Sequence, residues 1–264
     1  SVFGWFVIYE VHMPIKNFFH KLLLIYMSKK GDQFKLISIT KSLKKKYLDD
    51  LPILNSTKFQ VYPDCSILPL KNTEVQKKNQ SDVGYVGNLY PGKGMELIIE
   101  LASSLPSINF HIIGGRKNEV LAWKKKYNGK NLIFHGFVNH GDLPNFYNLF
   151  NICLLPLQKY VSPDGGKADI SKWTSPMKMF EYMSYKKAII ASDLPVLQEI
   201  LKDNYNALIV DSKNIELWKD AITNLTTNNS LLNKISNNAF NDIKNKYNWR
   251  LRCSNILSSI DIKR

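Results

Sequence analysis

Ser175-Pro176-Met177-Lys178-Met179-Phe180-Glu181-Tyr182-Met183, followed by Ala188-Ile189-Ile190-Ala191-Ser192-Asp193, reads as a loop, a helix with one acidic residue in its apolar register, and a buried strand. Ser175 is an N-cap residue type, and Pro176 suits the first helical position, where a missing N–H costs nothing. A helix that starts there directs its free amides and positive dipole end at any anion in the loop mouth. Glu181 lies four residues after Met177 and three after Lys178, so it shares a helix face with the residues nearest that anion. A carboxylate so placed can hold a ribose diol while the amides hold phosphates. A buried amphipathic helix with no ligand would explain Met179, Phe180 and Met183 as core residues. It would not explain the Glu among them, because unpaired carboxylates are rarely buried.

The same residues closely resemble the donor-site motif of family 4 retaining glycosyltransferases, enzymes of two Rossmann-like domains in the GT-B fold, several of which read SPxKxFEYM followed by GKPIIASD. The resemblance implies an α/β protein that binds a nucleoside-diphosphate sugar and moves the sugar to a glycan or lipid-linked acceptor. It covers nearly the whole chain and is strongest over 82–250.

Apolar runs of strand length alternate with helix-length amphipathic segments throughout, the pattern of doubly wound α/β architecture. Strands are predicted at Phe3–Tyr9, Leu36–Ile39, Lys58–Tyr62, Val83–Val86, Asn109–Ile113, Leu132–Phe134, Ile152–Leu155, Ala188–Ala191 and Ala207–Val210. Helices are predicted near Ile15–Met27, Lys41–Leu48, Gly94–Leu105, Glu119–Lys126, Leu143–Phe150, Pro176–Ser184, Leu194–Leu201 and Glu216–Leu225. Polar residues 71–81 lack apolar periodicity and read as a linker. Residues 1–70 then form a partial Rossmann-like domain on the acceptor side and 82–245 a nucleotide-sugar domain. Residues 246–264, opened by Tyr247-Asn248-Trp249, form a terminal helix that in the resembled family crosses back to the first domain. Against that family the first domain reads as incomplete, entered at a late strand just before Glu10-Val11-His12.

Gly84-Tyr85-Val86-Gly87-Asn88-Leu89-Tyr90-Pro91-Gly92-Lys93-Gly94 is a strand, a glycine-bearing turn and a helix start with a lysine before it. Alone it is equally an ordinary βα turn. Coupled to the Glu181 helix it reads as a phosphate cradle: Gly87 and Gly94 allow close backbone approach, and Lys93 supplies a mobile cation. It resembles the family's GRLxxxKG element, with Asn88 where that family has Arg, which leaves Lys178 as the nearest compensating cation. The family's paired glutamates, seven residues apart, map onto Trp173 and Glu181, so only the second is present. Donor-sugar contacts then fall to the amides of the Lys172–Met177 loop or to Asp169. Lys186 replaces a helix-terminating Gly, at a modest cost expected from left-handed geometry.

The resemblance carries further residues into the site. Glu181, Lys93 and His12 take catalytic roles, His12 through approach to the donor sugar, although a lone His is often structural. Gly87, Asn88, Gly94, Ser175, Pro176, Met177 and Lys178 contact the donor. Gly115 and Val138, at C-terminal strand ends where open α/β sheets bind ligands, frame the nucleotide base or simply form turns.

The 264-residue chain carries 36 Lys and Arg against 22 Asp and Glu, a net charge of +14. The excess points to an anionic partner, either the donor or an anionic membrane surface holding a lipid-linked acceptor, or else to lysines that merely solvate helices. Nucleic-acid binding lacks any recognisable signature. Cys65, Cys153 and Cys253 form neither a disulfide framework nor a zinc pattern, which fits a reducing compartment. No apolar run is long enough to span a bilayer. The expected location is therefore cytoplasmic, with peripheral attachment to the inner face of the membrane as an option. No Asp-x-Asp or His/Cys cluster stands at a strand end, so no metal or other cofactor is expected.

Overall fold

The computed structural model describes residues 6–54, 59–69, 82–127, 129–162, 166 and 169–260. The predicted linker 71–81 and the start of the first predicted strand lie outside these residues.

Two all-parallel sheets organise the chain. The first joins β1 (Val7–Val11), β2 (Phe34–Ser38) and β3 (Phe59–Val61) in that order, with Val7 beside Phe34 and Leu36 beside Phe59. Parallel neighbours need crossovers, supplied here by α1 (Phe18–Ser28) and α2 (Lys41–Asp50). Its core is a single cluster around Val11, Leu24, Leu36, Leu43, Tyr47 and Phe59.

The second sheet holds β4 (Val83–Val86), β5 (Phe110–Ile113), β6 (Leu132–Gly136), β7 (Ile152–Leu155), β8 (Ala188–Ser192) and β9 (Leu208–Val210), in the order β6-β5-β4-β7-β8-β9. Its inner strands β4, β7 and β8 are buried along their whole length because helices cover both faces. Along β7, Ile152 and Leu154 face one core with Ile98, Trp218 and Ile222. Cys153 and Leu155 face the other with Phe180, Met183 and Ile243. The helices are α3 (Met95–Ser104), α4 (Lys117–Lys126), α5 (Leu143–Tyr147), α6 (Met177–Ser184), α7 (Ile215–Thr227) and α8 (Asn229–Asn245).

Two departures from the sequence reading stand out. Leu194–Leu201 is a run of turns rather than a helix, with mixed three- and four-residue backbone bonds. Its Glu199 carboxylate is used across the molecule instead, accepting from the Lys41 and Ser42 amides at 2.6 and 2.9 Å and so capping α2 of the first sheet. Conversely α8 has no counterpart among the predicted helices. Asn228 caps it by accepting from the Leu231 amide, and it buries Leu232, Ile235, Ala239 and Ile243 along one stripe.

Helix α9 (Trp249–Ser258) meets the first sheet. Arg252 donates to the carbonyls of Pro63 at 2.9 Å and Tyr62 at 3.1 Å, and pairs with Glu10 at 2.9 Å. Thr40 Oγ1 donates to the Trp173 carbonyl at 3.4 Å, and the Trp173 ring packs against the first core. Among the described residues, no helix is long and apolar enough to cross a membrane.

Candidate functional site

The chain leaves β4 toward β6 and returns through β7, so the C-terminal ends of β4 and β7 flank the point where strand order reverses. That crevice is where open α/β sheets hold ligands. Gly87, Asn88, Lys93 and Gly94 leave the end of β4, and α6 starts across from them. Tyr182 on α6 ties the two together: its hydroxyl accepts from the Val86 amide at 2.9 Å and donates to the Val86 carbonyl at 3.2 Å. Tyr85 donates to the Asn88 carbonyl at 2.7 Å, fixing the turn.

Glycine is required in this turn at Gly87, Gly92 and Gly94; at Gly92, φ +82°, a β-carbon would overlap the Tyr160 carbonyl. Gly94, at φ +89°, caps α3, and a β-carbon there would overlap Pro156 of the loop after β7. Gly87, at φ +145°, has Lys178 beside it: a β-carbon would lie 3.5 Å from that side chain. The phosphate-cradle reading of the glycines thus has a packing reason beside it, since the turn must pass close to the β7 loop.

Helix α6 begins one residue later than expected. Pro176, not Ser175, is the N-cap, and Met177 is the first helical residue. Ser175 makes no cap bond, and its side chain lies near the Asp64 carboxyl instead. No side chain caps this helix, so its leading amides stay directed at the crevice. Met177 is exposed there.

Lys178 lies beside Gly87, and Lys93 is near enough for its charge to act on Lys178. The Lys178 ammonium lies 3.9 Å from the centroid of the Tyr85 ring. Burial and then the nearby Lys93 charge hold Lys178 well below the usual lysine range, and burial lowers Lys93 as well. Buried lysines within reach of each other's charge favour a bound anion. Glu181, one turn along α6, accepts from Tyr147 at 3.3 Å and lies 3.8 Å from His140. Tyr147 and His140 were not singled out in the sequence. The only signal for His140 was its place two residues after Val138, and Tyr147 looks like any aromatic core residue until it meets Glu181.

The remaining expected residues spread around this centre. Exposed Asn88 offers no cation to the turn. Gly115 is buried at φ +81° with Leu89 and Val120 against it, so backbone geometry and packing both favour glycine there. Val138 packs partly against the second core. Asp169 accepts from the Val161 amide, the Ser171 amide and the Ser171 hydroxyl, so it shapes its own loop. Lys186 adopts φ +55°, the left-handed geometry foreseen for it.

His12 stands at the end of β1, exposed, 3.0 Å from Glu10. With Glu10 and Asp64 it forms a group whose ligand atoms all lie within 4.8 Å of one another, close enough to hold a metal ion. The Arg252 guanidinium already pairs with Glu10, which disfavours a second cation. Burial raises the Asp64 carboxyl, and Ser175 and His12 nearby work against that rise, so the His12 group lies near the mouth of α6.

The family model for glycosyl transferases group 1 matches residues 69–242. An uncharacterized glycosyltransferase of Methanocaldococcus jannaschii is 27% identical over 91% of this chain and 61% of its own length. The alpha-galactosylglucosyldiacylglycerol synthase of Streptococcus pneumoniae is 27% identical over 71% of this chain and 48% of its own. Among solved structures, TarM matches with a TM-score of 0.70 at 18% identity, covering 96% of this chain and 50% of TarM. Anabaena HepE, solved with UDP and glucose, matches at 0.67 and 12% identity over 97% of this chain and 71% of its own. The chain spans less than two thirds of the curated relatives it matches. With a model match across more than half of its residues and the two parallel sheets of the GT-B fold, this chain belongs to the glycosyl transferases group 1 family.

Proposed function

We propose that this protein transfers a sugar from a nucleoside-diphosphate donor to a hydroxyl of a glycan or lipid-linked acceptor, with retention of configuration and without a metal, in the synthesis of a cell-surface polysaccharide. The observation that carries this reading is the placement of Lys178 beside Gly87, within reach of the Lys93 charge and at the uncapped start of α6, where the strand order reverses. The relatives' descriptions support it: HepE was solved with UDP-glucose, and TarM with UDP and alpha-GlcNAc-glycerol.

In this reading the diphosphate lies between the two lysines, its charge met by their ammonium groups and by the α6 amides. Glu181, held by Tyr147, accepts from the ribose hydroxyls. Catalysis is electrostatic: as the bond from the sugar to the diphosphate loosens, charge grows on the leaving oxygens, where the fixed cations stabilise it most. His12 and the Lys172–Met177 loop face the donor sugar. Gly115 and Val138 frame the base. The first sheet with α9 forms the acceptor side, and the excess positive charge favours work on the cytoplasmic face of an anionic membrane.

The reading is tested by calorimetry with UDP. Glu181→Ala should cost on the order of 1.5–3 kcal/mol, as for a charge-assisted hydrogen bond. Unchanged affinity would remove Glu181 from the donor site. Asn88 and Trp173, which replace an Arg and a Glu of the family pattern, favour a second reading in which the protein binds the nucleotide sugar without turning it over. Hydrolysis or transfer of a bound UDP-sugar by the whole protein separates the two.

A further inference from the structure

A second cleft of about 680 Å³ opens between α2 and the loops that precede α6 and follow β8. Its size falls within the roughly 300–1,000 Å³ of small-ligand sites. One wall is α2 with Lys45 and Lys46, and the other carries Lys159, Lys172 and Trp173. Lys46 is paired with Asp50 on its own helix. Among the described residues Lys45, Lys159 and Lys172 form no ion pair, and the acids lining the cleft are Asp49 and Asp193. The cleft therefore has a surplus of mobile cations contributed from both sheets.

Its base is rigid. The Trp173 carbonyl is held by Thr40, the Trp173 ring packs on the first core, and Glu199 caps α2 beside Ser42. Trp173 also stands two residues before Ser175, so the cleft adjoins the mouth of α6. A ligand here would lie on the first-sheet side of the donor loop.

We propose that this cleft binds the acceptor, and that the acceptor is an anionic glycan carrying carboxylate or phosphodiester groups. The lysines meet its charges, and the exposed part of the Trp173 indole offers an apolar face to a sugar ring. The inference rests on the donor reading for the direction of transfer, but binding in the cleft is measurable without it. Lysines that only keep the chain soluble have no reason to gather from two sheets around one indole.

The test uses the whole protein and three probes in low salt: tetragalacturonate, a glycerol-phosphate tetramer and neutral maltotetraose. At least one anionic probe should bind on the order of tenfold more tightly than maltotetraose, with the preference fading as salt rises. The better of the two identifies the source of the charge. Lys45→Ala and Lys172→Ala should each weaken that probe about threefold, the size of an exposed charge pair. Lys124→Ala, on α4 away from the cleft, should not. UDP affinity, measured alongside, should be unchanged in Lys45→Ala. If neither anionic probe outbinds maltotetraose, or if Lys124→Ala weakens binding as much as Lys172→Ala, the proposal is overturned. Failure of UDP to bind the unaltered protein would instead strike the donor reading and leave the cleft assignment standing.

Discussion

The two sheets are built alike but finished differently. Around the six-stranded sheet both faces carry a closed core, and Phe180, Tyr182, Met183, Trp218 and Ile222 are fully enclosed. Around the three-stranded sheet one core suffices, and α1 leaves Phe18, Phe19, Leu22, Leu23 and Tyr26 exposed. The difference shows where precision is needed. Lys93, Lys178 and Glu181 all belong to the sheet covered on both faces, whose packing fixes their spacing. The first sheet supplies one wall of a cleft and the ends of a few interdomain bonds.

The hardest test of that contrast is a pair of aromatic truncations. Phe180→Ala should destabilise the protein by about 3–5 kcal/mol, the usual cost of emptying an aromatic core position. Phe19→Ala, on the exposed face of α1, should stay within about 0.5 kcal/mol. Denaturant unfolding of both variants reads the gap directly. Comparable losses would mean that the α1 face is covered in solution, and the contrast between the sheets would fail.

A smaller effect is expected at the lysines. Lys93→Ala should weaken UDP by on the order of ten- to a hundredfold, about 1.5–3 kcal/mol, while uridine changes much less and added salt narrows the difference. Both lysines are held below the usual range while the site is free, and a bound diphosphate would raise them. Between the free and bound values the complex holds more protons than the free protein. UDP binding should therefore take up protons, and affinity should fall as pH rises toward the ordinary lysine range of about 10.4. Calorimetry in buffers of different ionisation enthalpy measures the uptake. Its absence would show that the two ammonium groups do not meet the diphosphate.

The smallest prediction concerns the end of α6. Lys186 adopts φ +55°, where a side chain is strained, so Lys186→Gly should stabilise the protein by about 1 kcal/mol without changing UDP affinity. A loss of stability in thermal unfolding would mean that the lysine side chain repays its backbone strain.

Much of the second sheet was legible because buried parallel strands are written as unbroken apolar runs. Val83–Val86 and Ile152–Leu155 have the same bounds in sequence and structure. The donor motif was legible for a related reason: a carboxylate in an apolar register needs an explanation that Leu or Met does not. Helix α8 was missed because asparagines crowd its surface, although Leu232, Ile235, Ala239 and Ile243 carry helical spacing. At Leu194–Leu201 the apolar residues suggested a helix, but Glu199 leaves that register to bond α2. Ser175 was read as a cap because it is the right residue type in the right place. Nothing local shows that Pro176 takes the cap position and that Ser175 sits near Asp64, more than a hundred residues away. What the sequence hides is which polar side chain serves a distant partner.

Glu199 and Arg252 have a joint mechanical meaning. Glu199 grips the start of α2, and Arg252 grips the carbonyls of Tyr62 and Pro63 after β3. Each grip is a many-bond contact whose parting would strand amides, carbonyls or a charge away from their partners. Arg252 makes α9 part of the first body, so that body is held to the second by Glu199 together with the Thr40–Trp173 and Ser66–Ser184 bonds. Any closing of one sheet on the other that keeps Glu199 on α2 must pivot close to the Lys41 amide.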